Sequence, residues 1–426
     1  MHCCFLSVFY IQTILVYYCW FCLWFLITYT HQKQLRRQYF KLLLMTRKKI
    51  CFVVPELGTA RVFLLNHIKE LSLHFDICLV ASVDSQVLLY FKDVPLKTIK
   101  NITVPRNISL LRDLKSLRYL YAYFKEMEFD AVHTITPKVG FLGLLASRLA
   151  GIENRIHIFT GQVWHTKTGL FKYFLKTLDR FTVFNATHIL VDGHSQRRFL
   201  IKNNIVKPSN SFVLGKGSIS GVNVKRFTPN TIVRKQVRQS LAIQDSELVF
   251  MFLGRINTDK GINELAHAFN RLQQANGHVR LLLAGTDEEN MTPRIKQIVK
   301  NTNSVIFHGV TTTPEHLLQG CDVFCMPSYR EGFGTSVIEA SLLEKPVICS
   351  DTYGLMETIV DNKTGLRHKV ADIESLFLAM KQLADDHQLR NLLGAQGRAY
   401  VLEHFSDQTI SKKWLEFYIQ IFKNVL

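Results

Sequence analysis

The sequence predicts an α/β protein built as two doubly wound, parallel-sheet domains. Short apolar runs alternate with helical stretches from Met45 to about Phe227, and the same alternation resumes after Asn230. Alternation of this kind builds parallel strands joined by crossover helices. The chain has 426 residues, 47% of them hydrophobic, which suits two cores better than one. No repeat at a fixed period and no low-complexity tract interrupts the pattern.

The first stretch is different. Met1 to Thr30 contains no Asp, Glu, Lys or Arg and is crowded with Phe, Leu, Ile, Tyr, Trp and Cys. About 20 apolar residues suffice to span a bilayer, and the following Lys33, Arg36, Arg37 and Lys41 would hold the C-terminal side in the cytoplasm. A cleaved signal peptide fits poorly, because no basic segment precedes the run and no small-residue cleavage site follows. Met45-Thr46-Arg47-Lys48-Lys49 leads directly into a strand. Residues 1–44 are therefore expected to be either a membrane anchor or an over-extended start.

Nine cysteines are too few for a disulfide scaffold in a chain this long. Cys51, Cys78, Cys321, Cys325 and Cys349 fall in apolar, strand-like runs, as buried thiols do. Cys19-Trp20-Phe21-Cys22 has metal-site spacing but no second ligand pair. A reducing cytoplasm is expected.

Charge is distributed unevenly. Lys and Arg outnumber Asp and Glu by 29 to 12 between Met45 and Lys235, whereas Gln236 to Leu426 has 19 against 22. The net charge of +18 thus belongs to the N-terminal half. It suggests an anionic membrane surface or a phosphate-bearing acceptor as partner. Nucleic acid is not expected, since no binding motif for it is present.

In the first domain, strands are predicted at Ile50 to Val54, Ile77 to Ala81, Ala131 to Thr134, Ile156 to Phe159 and Ile189 to Val191, with helices at Val62 to Leu71 and Val139 to Ala150. Ligands on doubly wound sheets bind at the carboxyl ends of the strands. That rule points to the loops after them, where His133 and Lys138 are expected to face a cleft and His165 lies nearby. From Thr168 to Phe181, Leu170, Phe171, Phe174, Leu175, Leu178 and Phe181 share helical spacing with Lys167, Lys172, Lys176 and Arg180. Such a helix either lies on an anionic bilayer or packs on the sheet with a solvated basic face.

A domain boundary is placed near Asn230, after the glycine-rich run from Gly215. The second domain begins with strand Leu248 to Leu253, followed by Gly254-Arg255 and then Lys260-Gly261 at a helix start. Two cations across a strand-to-helix turn can clamp a diphosphate. Helix Gly261 to Gln274, strand Val279 to Ala284, a helix around Thr292 to Lys300 and strand Val305 to Phe307 follow.

The densest signal is Met326 to Gly365. The run Asp322 to Met326 reads as a buried strand, and a helix is expected at Thr335 to Leu343, directly after Gly332-Phe333-Gly334. The amides of Gly332, Phe333, Gly334, Thr335 and Ser336, with the positive end of the helix dipole, suit a phosphate. Glu331 and Glu339 would repel phosphate and more plausibly accept hydrogen bonds from hydroxyls of sugar or ribose. Lys345 to Ser350 then forms a strand, Gly354 to Val360 a loop and helix, and Asp361 to Gly365 a turn.

Glu331 and Glu339, eight positions apart around Gly332-Phe333-Gly334, resemble the signature of retaining glycosyltransferases of family 4. The resemblance implies two Rossmann-like domains facing each other across a cleft, the GT-B architecture. It implies residues 45–229 as the acceptor-side domain, 230–405 as the nucleotide-sugar domain, and 406–426 as a helix crossing back to the first. It gives Glu339 the ribose, Glu331 the transferred sugar, Arg255 and Lys260 the diphosphate, and the backbone near Gly309 and Val310 the base. Gly58 sits where relatives often carry a paired-glycine loop, and only one glycine is present. Thr160-Gly161 matches a position that is often His-Gly, so Thr160 replaces the usual His.

The function expected is transfer of a sugar, with the anomeric configuration retained, from a nucleotide diphosphate donor to a hydroxyl of the acceptor. The resemblance implies UDP as the nucleotide and an N-acetylhexosamine as the sugar. Thr160-Gly161-Gln162-Val163-Trp164 resembles transferases that build bacterial capsule or O-antigen units on a polyprenyl diphosphate lipid, which implies a lipid-linked acceptor at the cytoplasmic face of the inner membrane. Asp-x-Asp is absent, so no metal is expected. The alternatives are a nucleotide-sugar epimerase of the same fold and a non-catalytic nucleotide-sugar-binding subunit.

Overall fold

A computed structural model describes residues 47–105 and 109–423. The segment expected to be an anchor or an over-extended start lies outside the described residues. From Lys49 onward the chain forms one unit containing two parallel sheets. The first comprises β1 (Lys49–Glu56), β2 (Asp76–Ser82), β3 (Thr98–Asn101), β4 (Ala131–Ile135), β5 (Asn154–Phe159), β6 (His188–Val191) and β7 (Ser211–Val213). Its order is β3-β2-β1-β4-β5-β6-β7. The second comprises β8 (Leu248–Leu253), β9 (Val279–Ala284), β10 (Val305–Gly309), β11 (Val323–Met326), β12 (Val347–Ser350) and β13 (Leu366–His368), in the order β10-β9-β8-β11-β12-β13. All pairings are parallel.

The central strands are apolar because helices cover both of their faces. Ile50 to Val54 of β1 and Val249 to Phe252 of β8 are buried, and both runs are legible in the sequence. The strands that were not predicted, β3, β7 and β13, lie at sheet edges and are three or four residues long. Within each of the three no more than two adjacent residues are apolar, which removes the signal. The predicted helix at Val62 to Leu71 is instead two helices, Leu57–Phe63 and Leu65–Leu71, separated at Leu64 by φ −121° and ψ −19°. The helices Ile373–Asp385 and His387–His404, also not predicted, close the second domain.

The C-terminal helix Asp407–Lys423 packs in the first domain's core, with Ile410, Trp414, Tyr418 and Ile421 against Ile50, Phe52 and Leu79. Trp414 Nε1 donates to the Ile219 carbonyl at 3.0 Å. The five cysteines expected in strands are free and buried. Among the described residues no helix is long and apolar enough to cross a membrane.

Both sheets reverse their order, at β1/β4 and at β8/β11. Crevices open at such points, beyond the carboxyl ends of the strands. Here the two crevices share one cleft, lined by residues of both halves.

Candidate active site

The cleft has a volume of about 630 Å³. Its C-terminal wall is made by Arg255, Asp259, Lys260, Arg330, Glu331, Gly332, Phe333 and Thr335. Arg255 comes one residue after β8, behind Gly254, and Lys260 ends a short turn, Thr258–Lys260, before the helix Ile262–Ala275. Gly261 makes that turn possible: its φ is +68°, and a Cβ there would lie 2.1 Å from the Pro327 carbonyl oxygen. The close approach brings the Lys260 turn onto the loop after β11.

That loop is held from several sides. The Lys260 ammonium ion-pairs with Glu331, and Ser328 Oγ donates to the same Glu331 oxygen at 2.8 Å. Arg330 pairs with Asp259 at 2.8 Å, and Tyr329 Oη donates to Glu264 at 2.6 Å. Arg255 is half exposed and pairs with Glu288 at 3.1 Å. Both cations thus reach the cleft already oriented by carboxylates. The helix Thr335–Leu342 starts at the cleft, but the Gly334 amide donates to the Gly354 carbonyl and the Thr335 amide to the Phe333 carbonyl. Those two amides, expected to bind phosphate, are engaged within the protein.

The N-terminal wall contains Thr136, Pro137, Thr160, Gly161, Asp192 and Ser220. A Cβ at Gly161 would meet the Gly332 nitrogen at 2.9 Å, and one at Gly332 would meet Asp192 Oδ2 at 2.6 Å. Two glycines let the backbones of the two halves touch at the cleft floor. The halves are also joined beside it. Glu357 accepts from Ser195 N and Ser195 Oγ, both at 2.6 Å. Tyr353 Oη accepts from the Gln162 amide at 3.2 Å, and the Tyr353 ring stacks on Phe199.

Of the residues expected from the sequence, the cleft gathers Arg255, Lys260, Glu331, Gly332, Phe333, Thr335, Thr160 and Gly161. Gly254, Gly334 and Ser336 lie beside it in the chain without lining it; Gly309 ends β10, Val310 follows, and neither lines the cleft. Glu339 sits a turn further along the helix, within electrostatic reach of the Arg226 and Glu315 pair, and burial pushes its carboxyl up to about 8.

The expectation that His133 faces the cleft is corrected. Every residue of β4 is buried, and the His133 ring lies in the core against Phe52, with Nδ1 2.7 Å from Tyr418 Oη. Burial holds its basicity well below the ordinary histidine value. Lys138 does not line the cleft either; it pairs with Asp113 at 2.7 Å. Gly58 lies inside a helix rather than a loop, and His165 packs edge-on to Phe199 and Tyr353. Two cleft carboxylates were not singled out from the sequence, Asp192 and Asp259. Asp192 directly follows β6, so the strand-end rule could have found it, but a lone Asp-Gly also reads as an ordinary turn.

Comparison with known proteins places the chain. Residues 74–216 match the family described as "Glycosyl transferase 4-like domain", and residues 233–400 match "Glycosyl transferases group 1". The chain is similar to the "Capsular polysaccharide biosynthesis glycosyltransferase CapM" of Staphylococcus aureus, with 32% identity over 314 residues, 72% of this chain and 81% of that protein. It is also similar to the "UDP-Gal:alpha-D-GlcNAc-diphosphoundecaprenol alpha-1,3-galactosyltransferase" of Escherichia coli, with 26% identity over 358 residues, 82% of this chain and 90% of that protein. Among solved structures, Anabaena Alr3699/HepE in complex with UDP-glucose superposes with a TM-score of 0.73 at 18% identity, covering 87% of this chain and 99% of that one. Two parallel sheets meeting at one cleft, together with these matches, show that the chain belongs to the group 1 glycosyltransferases, with a family-4-like first domain and the GT-B fold.

Proposed function

We propose that this glycosyltransferase moves a hexosyl group, with retention, from a UDP-linked sugar to a lipid-diphosphate-linked saccharide in surface polysaccharide synthesis. One observation carries the reading: Arg255, Lys260, Glu331 and the start of the Thr335–Leu342 helix line a single cleft whose other wall is Thr160-Gly161. The diphosphate lies against Arg255 and Lys260, with the amides of Gly332, Phe333 and Ser336 completing its shell. Glu331, anchored by Ser328, accepts from hydroxyls of the transferred sugar, and Glu339 takes the ribose hydroxyls. As the sugar departs, charge grows on the leaving phosphate oxygen, and fixed cations stabilise it there more than in the ground state. The acceptor hydroxyl approaches the same face and gives its proton to that oxygen. No metal ion is required in this scheme, so transfer should persist in EDTA.

The acceptor reading is supported by the Escherichia coli relative, whose acceptor is a diphosphoundecaprenol saccharide. Membrane docking is supported by two helices with exposed apolar residues. Leu170, Phe171, Tyr173 and Phe174 project from Gly169–Asn185, and Leu110, Leu111 and Leu114 from Leu110–Met127. Lys172, Lys115 and Arg118 lie among them. The helix Pro137–Leu149 packs against both. The protein then works at the cytoplasmic face of the inner membrane, peripherally or through residues 1–44. Binding to vesicles containing anionic lipid, but not to neutral phosphatidylcholine vesicles, tests this.

For the chemistry, Lys260→Met and Glu331→Gln should each lower transfer by roughly a hundredfold or more while leaving the thermal unfolding cooperative. Full activity in both variants defeats the assignment. Incubation with the nucleotide sugar alone, followed by NMR, separates transfer from epimerisation.

A further inference from the structure

Of the two cleft carboxyls without a role in the transfer, Asp259 pairs with Arg330; the other is Asp192. It is 3% exposed, it lines the cleft, and its Oδ1 has no hydrogen-bond partner among the described residues. Its backbone is fixed on both sides. The amide donates to Gln196 Oε1 at 2.9 Å, and the carbonyl accepts from the Ser218 amide at 2.7 Å. Gln196 in turn donates from Nε2 to the Thr160 carbonyl at 2.9 Å and to Gln162 Oε1 at 3.1 Å. One glutamine therefore ties Asp192 to the Thr160-Gly161 wall. Across the floor, Asp192 Oδ2 lies against Gly332, next to Glu331.

A buried carboxyl oxygen without a partner is destabilising. The residue lines the cleft, and with its backbone fixed the carboxyl group can turn that buried oxygen onto a bound ligand, which then supplies the missing bond. We propose that Asp192 contacts the substrate, exchanging a hydrogen bond with a hydroxyl of the transferred sugar beside the contact made by Glu331. This rests on the reading of the cleft as a nucleotide-sugar site. Glu331 reaches the sugar from the C-terminal half and Asp192 from the N-terminal half, so the sugar is gripped only where the two halves meet. The diphosphate contacts lie on the C-terminal half alone.

The protonation of Asp192 fits this division. Burial, and then the charge of Glu331, pushes its carboxyl up to about 8. The other charged groups around the cleft are Arg255, Lys260 and the Asp259–Arg330 pair; Glu357 lies beneath the adjacent Gly193. At neutral pH the group is a neutral donor, complementary to Glu331, which accepts. Two carboxyls on one sugar then serve opposite hydrogen-bonding roles without mutual repulsion.

The test is calorimetric binding of UDP and, separately, of UDP-glucose, UDP-galactose and UDP-N-acetylglucosamine to the full chain, wild type and with Asp192→Ala or Asp192→Asn. For whichever sugar nucleotide binds wild type most tightly, Asp192→Ala should lower affinity by about tenfold to a hundredfold and leave UDP affinity within a factor of about two. Asp192→Asn, which keeps a donor, should recover most of the loss. Wild-type affinity for the sugar nucleotide, relative to UDP, should fall as pH rises through about 8, and this fall should vanish in Asp192→Asn. An unchanged ratio of the two affinities in both variants, or equal weakening of UDP and sugar nucleotide, overturns the proposal while leaving the cleft assignment standing. Failure of wild type to bind UDP or any of the three sugar nucleotides overturns both.

Discussion

Glu357 offers the most direct test of how the cleft is held together. Its carboxylate accepts two hydrogen bonds of 2.6 Å from Ser195, one from the amide and one from the hydroxyl. Ser195 lies in the first turn of the helix His194–Lys202. The carboxylate thus also faces the positive end of a helix dipole, and its side chain is only 12% exposed. Hydrogen bonds to a charged group contribute about 1.5–3 kcal/mol each, and a charge at a helix N-terminus adds about 0.3–1 kcal/mol. The two hydrogen bonds share one carboxylate and are not additive, and partial exposure lowers each. Glu357→Ala should therefore weaken docking of the two halves by about 3 kcal/mol, roughly a hundredfold in the ratio of open to closed forms. Hydrogen exchange read by mass spectrometry should then speed up at residues 193–200 and 353–358, with β8 unchanged. UDP affinity should hold, because the contacts proposed for it lie on one half, while KM for the sugar nucleotide should rise. Glu357→Gln keeps the shape and should show a smaller effect. Unchanged protection in both segments of Glu357→Ala would refute the reasoning.

Three further outcomes are expected. Gly261→Ala forces a Cβ to 2.1 Å from the Pro327 carbonyl at a φ of +68°; it should lower the melting temperature and remove UDP protection, both read by thermal unfolding. His133→Leu leaves the Tyr418 hydroxyl without its partner and should cost about 1–3 kcal/mol of stability in denaturant titration. Because His133 is a core residue, kcat should stay within about twofold of wild type once protein is folded. Asp192 titrates in the opposite sense to a salt-bridged carboxylate: its folded value, about 8, exceeds the unfolded one, so the folded state holds the proton and stability is lost as pH rises between the two. Asp192→Asn should therefore gain stability over wild type as pH goes from about 5 to about 8.5 in the absence of ligand, and an equal difference at both ends would contradict the sign.

The sequence by itself determined the class of fold, the identity of the central strands and most of the C-terminal wall of the cleft. Those features are local. Continuous apolar runs such as Phe250 to Leu253 mark buried parallel strands, and Gly254-Arg255, Lys260-Gly261 and Glu331 to Thr335 each sit within a few residues of a strand end, so their placement follows from one strand-turn-helix unit. Edge strands such as Thr98–Asn101 escaped because half-exposed backbone needs no apolar run.

The tertiary structure decided everything that depends on what lies opposite. His133 lies within β4 and Asp192 directly after β6; the chain's last helix brings Trp414 and Tyr418 over the first, while the second is left at the cleft floor beside Gly332. Their separate fates are set by residues more than a hundred positions away. The same holds for the ion pair of Lys260 with Glu331, and for the Gly161–Gly332 contact that brings the two halves together at the cleft floor. Burial and hydrogen bonding are properties of assembled neighbours, and one-dimensional spacing carries no record of which neighbours those will be.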